Sequence, residues 1–250
     1  MNYLDIIQHF YPEDTPLRRL LILHSECVRD KALQIMEGVG DRFQVLGSKY
    51  QVSGFRFQVS GFKEQSIGFK FQESSAVSPQ HTSTHLNTPS THLNSPQLTL
   101  NPDLVIAGAM LHDIGICQTH APGILCEGTD PYICHGTIGA KMLRQLMVEQ
   151  SFSDEDAAML AACARICERH TGAGLTREDI IRQKLPLDPS DDLVPETLEE
   201  QLVCLADKFF SKSGDPRKEK SLEHVRRSMM KFGADSMARF EALCNTFCIK

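Results

Sequence analysis

Asn101-Pro102-Asp103-Leu104-Val105-Ile106-Ala107-Gly108-Ala109-Met110-Leu111-His112-Asp113-Ile114-Gly115 is the stretch whose reading decides the fold. Asn101 followed by Pro102 reads as a helix start, because the Asn side chain can accept from the first free amides and Pro needs no amide partner there. From Leu104 to about Ile114 the run is apolar on nearly all sides, which predicts a central, buried helix. It ends on His112-Asp113. A carboxylate at the end of such a helix is costly unless it is paired or holds a metal ion.

Other segments carry the same anomaly. Leu17, Leu20, Leu21, His24, Val28, Ala32 and Ile35 share one face of an earlier helix. His135, Ile138, Met142 and Leu146 line another. Ser153-x-x-Asp156 caps a third, whose inward face includes Met159, Cys163, Ile166 and His170. Pro195 is expected to open a helix through Leu198, Leu202, Leu205, Asp207 and Phe209, and a last helical region spans about Ser221 to Phe247. A single His on an apolar face is usually a satisfied core residue. Five helices that each carry a His or Asp inward point instead to a metal site, which facing helices of a bundle can build.

Residues 41–100 differ from the rest: 15 Ser or Thr, no Cys and three acidic residues. They repeat with period seven, as in Tyr50-Gln-Val-Ser-Gly-Phe-Arg followed by Phe57-Gln-Val-Ser-Gly-Phe-Lys, and later His85-Leu-Asn-Thr-Pro-Ser-Thr followed by His92-Leu-Asn-Ser-Pro-Gln-Leu. Recurrent Gly and Pro oppose a coiled coil. The segment reads as a tandem duplication that lengthened a surface loop, a disordered insertion, with His81, His85 and His92 as passengers. The expected organisation is 1–40 as the first part of one domain, 41–100 as the insertion and 101–250 as the remainder with C-terminal helices. The expected fold is all-α, a helical bundle interrupted by a low-complexity heptad-repeat loop.

The chain has 250 residues, with 26 Lys and Arg against 32 Asp and Glu, a formal net charge of −6. This balance argues against long nucleic acid as a partner, which needs a basic footprint. An anionic substrate requires local positive charge from metal ions or placed Arg and Lys. No run of about 18 apolar residues predicts a membrane span. The N-terminus lacks a basic stretch followed by an apolar one, and the nine cysteines form no CxxC pair. These features predict reduced thiols and a cytoplasmic location.

The order His24 … His112-Asp113 … His135 … His170 … Asp207, with His24-Ser25-Glu26-Cys27-Val28, His112-Asp113-Ile114-Gly115, Glu168-Arg169-His170-Thr171-Gly172 and Ala206-Asp207-Lys208 around the ligands, resembles the HD superfamily of metal-dependent phosphohydrolases. The resemblance covers residues 17–40 and 101–212. It implies a five-helix core and a metal set of His24, His112, Asp113 and Asp207. His135 and His170 would be the additional ligands of two-metal members, with Asp113 bridging. It implies two divalent transition-metal ions (Fe, Mn, Co, Ni or Zn) and hydrolysis of a small phosphoester, a nucleotide or dinucleotide, by a metal-bridging hydroxide. The alternatives are an HD-fold di-iron oxygenase and a non-catalytic metal-binding sensor module. Besides Asp113, Arg169 and Lys208 are candidate catalytic groups through contact with a phosphate. Thr119 and His120 are candidates for the mouth of the site. Lys212, Arg226 and Arg227 read as solvated. Many relatives carry Lys shortly after the signature Asp, whereas this chain has Ile116 and Cys117, so any phosphate contact made there must come from elsewhere. The expected partner is a small phosphorylated substrate, with no membrane; the sequence does not fix the oligomeric state.

Overall fold

Asn101 caps the central helix as its sequence predicts: its side-chain oxygen accepts from the amides of Asp103 and Leu104. The computed structural model describes residues 1–39, 44–45 and 99–250. Among these, the helices are α1 Tyr3–Phe10, α2 Pro16–Gly38, α3 Pro102–Leu111, α4 His135–Glu149, α5 Asp154–Arg169, α6 Arg177–Gln183, α7 Leu198–Asp207, α8 Leu222–Met229 and α9 Ala234–Thr246. Helix dominates, and the all-α expectation holds.

Strands are two or three residues long. Gln44–Val45 (β1) pairs in parallel with Thr99–Leu100 (β2). Thr119–Ala121 (β3) lies between Cys126–Glu127 (β4) and Asp130–Pro131 (β5). Contacts divide the chain into Met1–Tyr50 with Gln97–Lys250, and Gln51–Pro96, which lies outside the described residues. The period-seven repeats and His81, His85 and His92 fall in that undescribed segment. At its edge, Leu100 is fully buried within the core.

α3 is central because both apolar clusters draw on it. Val105, Ile106 and Ala109 pack with Val28, Ile35 and Met36 of α2, with Leu202 and Leu205 of α7, and with Phe240 of α9. Ala107, Met110 and Leu111 pack with Ile7 of α1, Leu143 of α4, and Leu160 and Cys163 of α5. Truncating one of these large side chains to Ala costs about 2–5 kcal/mol. α3 therefore holds its C-terminal end firmly among α2, α4, α5 and α7.

Two glycines allow the helices near that end to approach closely. A Cβ on Gly115 would lie 2.3 Å from the His135 carbonyl oxygen and 2.4 Å from the Gly139 nitrogen. A Cβ on Gly136 would lie 2.4 Å from the Cys167 carbonyl oxygen. Backbone meets backbone at both places, so no side chain can rotate away.

Several boundaries differ from the sequence expectation. α3 ends at Leu111, and a 3-10 turn, Ile114–Gln118, follows. α7 begins after Thr197, whose side chain and that of Glu200 form a reciprocal capping box, and not at Pro195. The region from Ser221 to Phe247 breaks at Gly233, whose φ of 98° is unfavourable for other residues. The nine cysteines, all among the described residues, form no disulfide. Among the described residues no helix is long and apolar enough to cross a membrane.

Candidate metal centre

His112 and Asp113 stand where α3 stops, both fully buried. α2 brings His24, α4 brings His135 as its first residue, α5 delivers His170 just past its last, and α7 ends on Asp207. All six sequence-predicted ligands converge.

They form two groups sharing one residue. Asp113 Oδ2 lies 3.3 Å from His24 Nε2 and 3.1 Å from His112 Nε2. Asp207 Oδ1 lies 3.0 Å from His24 Nε2 and 3.6 Å from His112 Nε2. The other oxygen, Asp113 Oδ1, lies 3.3 Å from His135 Nε2 and 3.5 Å from His170 Nε2. The two sets, His24, His112, Asp113, Asp207 and Asp113, His135, His170, each gather their candidate ligand atoms closely enough to hold an ion.

The rings are oriented by a repeated device. His112 Nδ1 lies 2.7 Å from the Ala109 carbonyl, His135 Nδ1 2.7 Å from that of Tyr132, and His170 Nδ1 2.7 Å from that of Cys167. A carbonyl only accepts, so each Nδ1 carries a proton and donates it. Each ring, when neutral, then has a bare Nε2 lone pair aimed inward, the arrangement of a metal-ligating His with its other nitrogen held by a backbone acceptor. The Tyr132 ring also stacks on His135, centroids 4.7 Å apart.

These residues fit a cation. His135 and His170 point their Nε2 atoms at each other across 3.0 Å. Burial pulls the His135 pKa down to about 3 and lowers that of His170 too, so neither ring takes up the proton that would ease the contact. Both Asp113 oxygens and His112 Nε2 are buried without a well-formed hydrogen bond. Burial also works against a charged His112, but Asp113 and Asp207 outweigh it and raise its pKa to about 9. The carboxylates thus demand positive charge beside them. Burial likewise opposes the Asp113 charge, yet His112 and Lys212 hold its pKa well below the usual range. Imidazole with carboxylate, and no thiolate, suits a divalent transition metal.

The other candidate residues divide. Lys208 is at the site: its Nζ lies 2.8 Å from Asp207 Oδ2 and donates to the His170 carbonyl at 3.0 Å. Arg169 is directed elsewhere. Its guanidinium donates to the Val194 carbonyl at 2.7 Å and pairs with Glu196 at 2.8 Å, so it ties down the segment before α7. Thr119 is buried and donates to the Ile116 carbonyl, while His120 is exposed on β3. Arg226 and Arg227 pair with Glu241 and Glu223 on α9 and α8.

Lys212 corrects the expectation that it is solvated. Its side chain is 10% exposed and its Nζ lies 2.5 Å from Asp113 Oδ2. Burial opposes its charge, but Asp113 prevails and raises its pKa. Composition gives no signal for this. The only local hint is its place five residues after Asp207, beyond the apolar Phe209-Phe210 pair.

A helical bundle whose inner ends assemble a buried His and Asp cluster defines a class of metal-binding domain. The chain belongs to the HD domain family, whose pattern matches residues 85–211. A Methanocaldococcus jannaschii protein described as uncharacterized is 40% identical over 108 residues, 43% of this chain and 49% of that protein. A tRNA (cytidine(56)-2'-O)-methyltransferase of Thermoplasma volcanium is 28% identical over 144 residues, 58% of this chain and 35% of that protein. The enzyme of the same name from Picrophilus torridus is 40% identical over 108 residues, 43% of this chain and 24% of that protein. The chain thus spans about half the length, or less, of these curated relatives. No solved structure matches.

Proposed function

We propose that this chain is a metal-dependent phosphohydrolase acting on a small phosphoester, a nucleotide or dinucleotide. One observation carries the proposal: the two oxygens of Asp113 face two separate ligand groups. A carboxylate so placed can hold two ions at once, His24, His112 and Asp207 completing one set and His135 and His170 the other. Bound there, two divalent ions would supply Lewis acidity toward phosphoryl oxygens and would acidify an attacking water.

The chain's own residues do the rest. The three Nδ1–H bonds to backbone fix the ring orientations before any ion arrives. Lys208 neutralises Asp207 and anchors the end of α7 to the end of α5 through the His170 carbonyl. Leu111, Ile114 and Ile116, all fully buried, keep water from the inner side. The acidic balance of the chain makes such local positive charge necessary for an anionic substrate. Two relatives are named as tRNA methyltransferases. The segment shared with this chain is a minor part of each.

The test is a panel of nucleoside monophosphates, cyclic nucleotides, dinucleotides and bis(p-nitrophenyl) phosphate, run on protein of measured metal content. Hydrolysis that chelation abolishes and metal restores is expected. Oxygen consumption by iron-loaded protein, with no ester in the panel cleaved, would replace this reading by the oxygenase one.

A further inference from the structure

Phosphoryl transfer needs positive charge on the phosphate as well as an activated water. The segment just after Asp113 offers none, since Ile116 is buried in the core and the Cys117 amide is taken by the Tyr11 hydroxyl at 3.2 Å. Among the described residues, Lys208 and Lys212 form ion pairs with the carboxylates of the cluster. Lys208 has two such partners, Asp207 Oδ2 and the His170 carbonyl, and neither Asp113 oxygen is among them.

Lys212 differs. Its ammonium pairs with Asp113 Oδ2, the oxygen that His24 Nε2 and His112 Nε2 also approach. An ion held by His24, His112, Asp113 and Asp207 must take that oxygen. A metal ion and the ammonium compete for the charge of that one oxygen, so an ion bound there weakens the ion pair and frees the ammonium to move. Its base stays in place: Phe209 and Phe210 are buried, and the Lys220 amide donates to the Phe209 carbonyl at 2.8 Å. A four-carbon stem on a fixed backbone swings its charge while remaining at the site. The ammonium already lies 6.0 Å from the Tyr132 ring, on the His135 side of the cluster.

We propose that Lys212 is the phosphate-binding cation of this site, released from Asp113 when metal binds and then paired with a phosphoryl oxygen of the substrate. This rests on the phosphohydrolase reading above. Lys212 thereby supplies, from the segment after α7, the charge that Ile116 and Cys117 cannot.

Calorimetry on the full chain tests it, with Mn²⁺ alone and then inorganic phosphate added to Mn²⁺-loaded protein as probes. Metal-free Lys212→Met should bind Mn²⁺ several-fold more tightly than wild type, because the competing ammonium is gone. Once loaded, it should bind phosphate roughly tenfold more weakly or worse, the loss of one charge-assisted hydrogen bond. Lys212→Arg should stay within about threefold of wild type for phosphate, since it keeps the cation. Unchanged phosphate affinity in Lys212→Met overturns the proposal. So does loss of folding in both Lys212→Met and Lys212→Gln, which would make the ion pair structural. Failure of the hydrolase reading looks different: phosphate binding persists with its Lys212 dependence, but no ester in the panel is cleaved.

Discussion

His135 and His170 face each other through Nε2 atoms 3.0 Å apart, with both Nδ1 atoms already donating to backbone carbonyls. Two lone pairs so aligned repel unless a cation lies between or beside them. Removing one ring should therefore relieve the metal-free protein and impair the metal-bound one. In chelator, His170→Leu should unfold at the same urea concentration as wild type or a higher one, a gain of up to about 1–2 kcal/mol. In excess Mn²⁺ the order should reverse. A His170→Leu protein that is less stable in both conditions would show that the pair is a satisfied core contact.

Metal stoichiometry separates the two groups. Asp113→Ala removes the carboxylate common to both and should leave neither ion bound. His170→Ala should retain about one ion per chain, held by the remaining four-residue set. Mass-spectrometric metal analysis after gel filtration distinguishes these outcomes. Unchanged metal content in His170→Ala would show that His170 is a core histidine and not a ligand.

Chelation should lower the stability of wild type by an amount set by free metal over its dissociation constant, about 2.7 kcal/mol at a hundredfold excess. In Asp113→Ala the same chelator should have no effect on the thermal midpoint. A chelator-induced drop that persists in Asp113→Ala would locate the stabilising ion elsewhere.

The close approach at Gly136 makes a packing prediction. Gly136→Ala places a methyl against the Cys167 carbonyl and must push α4 from α5, at about 1–3 kcal/mol. Because His135 precedes Gly136 and His170 follows Cys167, the second ion should also bind more weakly. Gly108→Ala clashes with the Cδ1 end of a side chain, Ile166, and with no backbone atom, and should cost less. Equal losses in the two variants, read from urea midpoints, would contradict this.

Thiol labelling tests the redox reading. Denatured, unreduced protein should yield nine free thiols. In the native state Cys248, which is exposed, should react first. Burial pushes the Cys163 thiol up to about 12 and the Cys204 thiol up to about 11, so both should stay unlabelled at pH 8 until the protein unfolds. Rapid native labelling of Cys163 would mean that the α3–α5 packing opens easily.

Much of the scaffold was legible because its signals are local. Asn101 and Ser153 both cap helices as their side chains predict. The inward His and Asp residues stood out against apolar neighbours. α1 and α6, at eight and seven residues, are too short for periodicity to mark. Lys212 and Arg169 were not legible for a different reason. The carboxylate that buries Lys212 belongs to Asp113, and the groups that claim Arg169 are Val194 and Glu196. Such charge pairing depends on which segments meet, and a long polar side chain looks the same in sequence whether it meets water or a distant acid.

The contact between His24 and Asp207 joins residues 183 positions apart. A ribosome adding about 5–20 residues per second separates their appearance by on the order of ten to forty seconds. Throughout that interval the nascent chain presents early histidines without the residue that completes their set. An ion that needs His24, His112, Asp113 and Asp207 together could not template the first helices as they emerge. A chain interrupted before α7 lacks Asp207 and leaves the exit tunnel with its four-residue set unfinished.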